Sequence, residues 1–361
     1  MSDDAARQVL RRRLATQGLV GHRFATARDV VSGLACVQSQ EYAHGFWSLG
    51  MRTTELTYTD VQREFDAGLF IRTHILRPTW HFVAAEDLRW ILALTSPRVL
   101  QGNRSRCRQL ELDQADLDRG CELIVAALSG GRHLTRNELG RVMDAAGLPA
   151  PGQRLAYLVM TAELEGLICS GPMRGAQHTY AVLDERLPAT PARTEEEALA
   201  ELTWRYLSGH GPTSLKDFTR WSSLTLASAE AGLASVADRL ERLEVDGQVL
   251  WFDPAAGEPA ADVSEALLLP LYDEATLSYP QLNFPLATGH PHPPDMDTFI
   301  GSVVVDAVNV GTWRRTVKGR KVLVETALTP GLSARGRDAV DAAVIRLAGF
   351  LGKELERVPM G

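Results

Sequence analysis

The chain has 361 residues, 45% apolar and 23% charged, a mixture and length that imply two or three packed globular units and exclude a disordered polymer. Its net charge of −7 argues against a protein that coats nucleic acid indiscriminately. No apolar run approaches the roughly 18 residues of a membrane span and no signal peptide opens the chain, so a soluble cytoplasmic protein with no membrane contact is expected.

In chain order, "ARQVLRRRLATQG" predicts a first helix and "TARDVVSGLACVQSQ" a second with its exit. Within residues 36–47, "CVQSQEYAHGFW", two glutamines stand one residue apart, Gln38 and Gln40, followed by Glu41, Tyr42 and His44. On these residues alone the stretch is either a helix end with solvated amides or the lining of a pocket. "TYTDVQREFDAGLFIRTHI" adds another helix, and residues 75–83, "ILRPTWHFV", read as a strand whose alternation sends Trp80 and His81 to opposite faces.

Residues 121–183 carry the clearest pattern. An apolar-periodic helix, "CELIVAALSGG", precedes "LTRNELGRVMDAAG", where Thr135 and Glu138 have capping-box spacing. "QRLAYLVMTAELEG" is amphipathic, and two β-rich runs follow around a Gly/Pro/Arg/Gly loop. Three helices and a hairpin make a winged helix-turn-helix, whose third helix enters a groove in those members that bind DNA. Residues 198–253 repeat the order and the N-terminal stretch fits a further copy. The last third changes character. A buried-type strand in "ALLLPLYDEATLSY", a Pro-rich loop, strand runs with turns at Asp306–Asn309 and Lys318–Gly319–Arg320, and a helix after Ser333 predict an antiparallel barrel or sheet.

The fold class expected is therefore α+β, mainly helical: three tandem winged helix-turn-helix modules braced by a C-terminal antiparallel β-barrel or sheet. The domains are drawn at 1–110, 111–190, 195–255 and 260–361. The cysteines Cys36, Cys107, Cys121 and Cys169 have no CxxC or ligand spacing and read as reduced, mostly buried thiols. His290 and His292 lack a third or fourth metal partner, so no metal and no cofactor is expected. Basic residues cluster without acids at 7–13, at Arg98, Arg104, Arg106 and Arg108, and at Arg314, Arg315, Lys318, Arg320 and Lys321. Such clusters in an acidic chain fit local phosphate contacts.

"VQSQ", residues 77–98 "RPTWHFVAAEDLRWILALTSPR", residues 267–274 "LLLPLYDE" and residues 310–325 "VGTWRRTVKGRKVLVE" together resemble one family, in matching order over nearly the whole chain. It is the winged-helix DNA glycosylases related to the bacterial enzymes that unhook azinomycin-type interstrand crosslinks. The resemblance implies three winged helices held by a C-terminal β-barrel, and excision of N7-alkylguanine by a Gln–x–Gln motif. Here that motif is Gln38–Ser39–Gln40, and Ser39 departs from the family's apolar middle residue. The partner implied is double-stranded DNA carrying N7-alkylguanine lesions, met by a monomer, in alkylation repair or antibiotic self-resistance.

The chemistry fits two amides. Most glycosidic cleavage uses a carboxylic acid and a carboxylate, and glutamine is a poor general base. An N7-alkylguanine is already cationic, so its departure needs no proton, and two fixed carbonyl dipoles suffice to place a water and stabilise an oxocarbenium-like sugar. Glu41 is the competing base, or else a helix cap or the ion-pair partner of a nearby arginine. Tyr42 and His44 line the pocket or pack, and of Trp80 and His81 the histidine is expected to face the lesion. No lysine precedes Lys216, so a monofunctional reaction without a Schiff base is expected. A bulky adduct cannot be turned fully out of the duplex, which implies an open, shallow site. The rival readings are a non-catalytic winged-helix transcriptional regulator, a drug-binding resistance protein and a protein-binding adaptor.

Overall fold

The computed structural model describes residues 3–256, 265–280, 282–291 and 301–356; His292 lies outside them. After α1 (Asp3–Thr16) comes a unit of α2 (Ala27–Gly33), β1 (Cys36–Gln38), α3 (Tyr42–Met51), α4 (Tyr58–Asp66), β2 (Phe70–Ile75) and β3 (Arg77–Ala84), with sheet order β1-β3-β2. Thr26 caps α2, and a Thr57–Asp60 capping box starts α4. A long helix, α5 (Leu88–Gln109), leads to a second unit of the same design: α6 (Gln114–Leu128), β4 (Leu134–Thr135), α7 (Arg136–Ala145), α8 (Gln153–Leu164), β5 (Ile168–Ser170) and β6 (Thr179–Val182), order β4-β6-β5. A short α9 (Leu183–Arg186) precedes the third unit: α10 (Glu195–His210), a bridge at Thr213, α11 (Leu215–Ser222), α12 (Leu226–Ala234), β7 (Glu241–Val245) and β8 (Gln248–Phe252).

The repeat is thus helix, short strand, helix, helix and hairpin, with the short strand paired to the hairpin's second strand each time. Two expectations change. The N-terminal unit begins at α2, not at α1, and its second helix is α3, which sequence periodicity missed because seven of its ten residues are buried. The third helix of the middle unit, α8, buries every residue from Leu158 to Leu164, packing against α5, α6 and β2. Its C-terminal half is part of the core.

The C-terminal part contains β9 (Ala266–Leu269), α13 (Glu274–Leu277), β10 (Gly301–Val305), β11 (Val308–Lys318), β12 (Lys321–Leu328), α14 (Ala334–Phe350) and β13 (Glu354–Glu356). The strands lie in the order β13-β12-β11-β10-β9, an open five-stranded sheet and not a closed barrel among the described residues. The two-residue turn Asp306–Ala307 has positive φ at both positions (48° and 60°), matching the twist that an antiparallel hairpin needs. The Trp313 indole donates to the Leu269 carbonyl at 2.8 Å, and a Cβ on Gly301 would stand 2.2 Å from that indole nitrogen, so glycine is required there. The Trp47 indole of α3 donates to the Leu268 carbonyl, docking the first unit on β9.

Arginines expected to touch phosphate are used here inside the fold. Arg13 is 2% exposed, donates to the carbonyls of Pro212 and Leu282, and stacks on Tyr279. Arg11 donates to Asp306 at 2.8 Å, and Arg12 lies over Phe252. The 7–13 cluster therefore ties α1 to the third unit and the sheet.

Arg52, at the C-terminal end of α3, makes a buried two-pronged pair with Asp273, 2.9 Å to Oδ2 and 2.8 Å to Oδ1. Ser48 donates to the same carboxylate, the Ala275 N–H caps its other oxygen, and Gln17 takes the remaining guanidinium edge. Removing one partner of such a pair leaves the other charge buried. Asp273→Ala is expected to lower stability by about 3–5 kcal/mol in urea denaturation; a loss below about 1 kcal/mol, the range of exposed pairs, would show that the pair does not hold the fold.

Candidate active site

In the second and third units the residue closing the short first strand, or the one after it, caps the next helix through a capping box: Thr135 with Glu138, Ser214 with Asp217. The first unit departs from that rule. Gln38 closes β1, and Glu41 occupies the N-cap of α3 with no side-chain capping bond. Local stability would favour Ser, Thr or Asp here. Such local departures from the stabilising choice are expected at functional sites.

The two amides are separated by a residue that faces the other way. Ser39 is 1% exposed, and a Cβ on Gly45 would come within 3.2 Å of its own Cβ. That inward position explains the apolar residue expected there, and Ser39 Oγ is buried without a hydrogen-bond partner among the described residues.

Gln38 is held on both its backbone and its side chain. Its N–H donates to Glu274 Oε1 at 2.7 Å, and the Arg77 guanidinium donates to its Oε1 at 2.7 Å. Arg77 also reaches His81 Nε2 at 3.2 Å, while His81 Nδ1–H donates to the Thr79 carbonyl. The Arg77 contact needs a lone pair on Nε2 and so the neutral ring, and burial, with Arg77 beside it, drives the His81 pKa down to about 3. His81 has no exposed surface and lies behind Gln38. The expectation that it faces a lesion is corrected: His81 is enclosed, whereas its strand neighbour Trp80 is partly exposed. Glu274 also accepts from Ser278 Oγ (2.8 Å) and Trp221 Nε1 (3.1 Å), with His210 3.5 Å away. Burial acts to raise its pKa, but the neighbouring His210 and Arg77 hold it at about 2, so it is ionised. Sequence reasoning missed Arg77 and Glu274, although both stand within the motifs that carried the resemblance.

Gln40 is partly exposed, and its Oε1 accepts a long bond, 3.4 Å, from the Trp80 N–H. Arg72 donates from Nε to the Ser39 carbonyl (2.9 Å) and from its NH2 group to the Gln40 carbonyl (3.1 Å), lying 4.3 Å over the Trp80 ring. The Tyr42 ring packs against Phe46, Phe65 and Phe82, a core role. His44 sits near Trp313, and burial together with Arg315 lowers its pKa to about 4.

The remaining basic candidates have separate surroundings. Arg314 forms a two-pronged pair with Glu325, and Arg315 is half-buried beside Tyr58 and His44. Lys318, Arg320 and Lys321 are exposed at the β11–β12 turn. Arg106 is bound to Gln153 and Gln109, and Arg104 and Arg108 line a crevice beside Asp113 and Glu165. Arg98 donates to the Ser223 carbonyl in an open cleft of about 740 Å³ that also holds Lys216 and Arg220. Those last two cations were not anticipated; α11 brings them together at i and i+4, a spacing legible in "LKDFTR". Burial lowers the Arg77 pKa, against the pull of Glu274 and with a smaller contribution from Arg220.

Residues 31–350 match the model of the AlkZ-like DNA glycosylase family. An interstrand DNA cross-link repair glycosylase of Streptomyces sahachiroi is 25% identical over 252 residues, 67% of this chain and 68% of that protein. The solved structure of Streptomyces sahachiroi DNA glycosylase AlkZ superimposes with a TM-score of 0.72 over 97% of this chain and 99% of that one, at 20% identity.

The lowered pKa values fix the sign of the acid response. His81 and His44 fall from 6.5 to about 3 and about 4, and Glu274 falls from 4.5 to about 2. The unfolded chain therefore binds more protons than the folded one as pH drops below 6.5 for the histidines and 4.5 for Glu274. Stability is expected to decline steadily below pH 6.5, the fully buried His81 alone contributing a slope of about 1.4 kcal/mol per pH unit. Urea midpoints at pH 7.5, 6 and 5 check this; a flat profile to pH 5 would show that the histidines are not held neutral.

Proposed function

The chain belongs to the AlkZ-like DNA glycosylases, and from that premise we propose that it hydrolyses the N-glycosidic bond of cationic N7-alkylguanine in duplex DNA, with Gln38 and Gln40 acting on the sugar. The observation that carries the reading is the arrangement around Gln38. The carboxylate at its back, Glu274, is already bonded to Gln38 N–H, Ser278 and Trp221 and is buried, so it is not available to take a proton from water. The amide is what the loop offers. A carbonyl oxygen has two lone pairs, and Arg77 uses one on Gln38. The second can accept from a water placed below C1′, while Gln40 contributes a second dipole toward the developing oxocarbenium ion.

No lysine precedes Lys216 in the chain, and the proposed reaction is monofunctional and leaves an abasic site. The Streptomyces sahachiroi relative carries the name of cross-link repair, and we extend the substrate range here to bulky monoadducts and interstrand crosslinks, reached in an open site within the duplex by a monomer acting in the cytoplasm. Alkylation repair and self-protection in an antibiotic producer are the roles this activity would serve. The exposed Lys318, Arg320 and Lys321 and the cleft of Arg98, Lys216 and Arg220 supply cations for the backbone on either side of the lesion.

Base release from a duplex with one N7-methylguanine is the direct test. The wild type and Glu41→Gln are expected to yield abasic product, and the Gln38→Ala/Gln40→Ala variant to fall to the rate of spontaneous depurination. A double variant with undiminished activity would remove the glutamines from the chemistry. For the cleft, Lys216→Ala/Arg220→Ala should weaken binding and flatten the slope of log K against log salt by about 2, roughly one for each phosphate no longer neutralised; an unchanged slope would take α11 out of the DNA interface.

A further inference from the structure

Arg72 is 6% exposed, and among the described residues no carboxylate pairs with it. A buried guanidinium without a counter-charge is expensive, and the groups it touches are neutral. Two are the carbonyls of Ser39 and Gln40, at 2.9 and 3.1 Å, and the flat of the ion lies over Trp80 at 4.3 Å. Trp80 in turn grips the same loop through its backbone: its carbonyl accepts from the Ser39 N–H at 2.8 Å, and its N–H donates to the Gln40 side chain. The support continues into the second unit. His74, two residues along β2, contacts the Trp80 ring at 4.3 Å and is bonded to Glu163 near the end of α8, while the Arg72 N–H donates to Ser170 Oγ at 2.8 Å.

We propose that Arg72 is the positioning residue for Gln40: its planar fork, stacked on Trp80, holds the two carbonyls that set where the second amide of the motif points. Gln38 is fixed by Arg77 and Glu274, one on its side chain and one on its backbone. Gln40, on the exposed side of the loop, has among the described residues only the long Trp80 bond on its amide, so the position of its backbone decides its aim. Lysine keeps the charge but cannot donate in one plane to two carbonyls or stack as guanidinium does. The inference rests on the assignment of Gln40 to the chemistry.

Single-turnover base release and equilibrium binding on the N7-methylguanine duplex would be measured for wild type, Arg72→Lys, Gln40→Ala and the Gln40→Ala/Arg72→Lys double variant. Displacement of a positioned group by about 1 Å costs on the order of 100-fold in rate, so Arg72→Lys should lose at least about 10-fold in rate with the dissociation constant moved by less than about twofold. The double variant should be no slower than Gln40→Ala alone. Multiplying losses, or a wild-type rate for Arg72→Lys beside a slow Gln40→Ala, overturns the proposal. A wild-type rate for Gln40→Ala overturns the glutamine assignment itself and this inference with it. If Arg72→Lys does not fold, Trp80→Leu removes the stacking plane while leaving the backbone donors, and the same split between rate and binding is expected; a loss confined to binding counts against it.

Discussion

Two consecutive carboxylates, Asp273 and Glu274, hold the first helical unit in place. Asp273 binds Arg52 where α3 ends, and Glu274 binds the Gln38 N–H just before α3 begins. Both ends of that helix are therefore gripped from a single turn of chain contributed by the C-terminal part. Glu274 also takes the Trp221 indole of the third unit, so the same turn joins three parts of the molecule. The residue before the pair, Tyr272, is held at φ +69°, a region that side chains other than glycine seldom occupy. That local strain, of order 1 kcal/mol or more, is offset by two sets of buried charge-assisted hydrogen bonds that depend on the turn being aimed there.

The stability given up around the motif contrasts with its surroundings. Two of the three units close their short strand with a reciprocal capping box, and the first replaces that box with Gln38, Ser39, Gln40 and an unbonded Glu41 at the cap. Among the described residues Ser39 Oγ and Tyr42 Oη are buried without hydrogen-bond partners, and Arg72 is buried with its bonds on carbonyls instead of a carboxylate. Each departure is locally unfavourable, and all of them fall within one loop and the strands that touch it. A loop with so few favourable contacts of its own has to be positioned from outside, which is what Arg72, Arg77 and Glu274 do.

How much of this was legible in the sequence depended on the range of the interaction. The middle unit could be read because its signals are local: Thr135 and Glu138 three residues apart, and helical periodicity that ends at turn residues. The Asp246–Gly247 turn between β7 and β8, positive in φ at both positions, was equally local and marks the third hairpin. Helix α3 was hidden because a helix buried almost all round has no amphipathic period. The N-terminal arginines looked like a phosphate-binding face because their partners are remote; Asp306 stands 295 residues from Arg11. Gln38 and Gln40 were legible through resemblance, whereas Glu274, 236 residues away, could be assigned only once the fold brought it to the Gln38 backbone.

For the proposed reaction, the same arrangement bears on why amides rather than a free carboxylate would stand at the front of the site. In a cationic N7-alkylguanine the positive charge begins on the base and moves to the sugar as the bond breaks, so the total charge is unchanged. A full negative charge close to both would stabilise the bound lesion nearly as well as the transition state, and uniform stabilisation does not raise the rate of the chemical step. A dipole falls off faster with distance than a charge, so it distinguishes a cation on the sugar from one on the base. It also needs tighter aim, because its effect changes sign with orientation. Glu274, ionised but buried behind Gln38 and flanked by Arg77 and His210, is kept from acting as an unscreened anion. On the proposed reading the fold uses its full charges to orient the glutamines, and leaves the reacting side of the loop to neutral groups whose value lies in where they point.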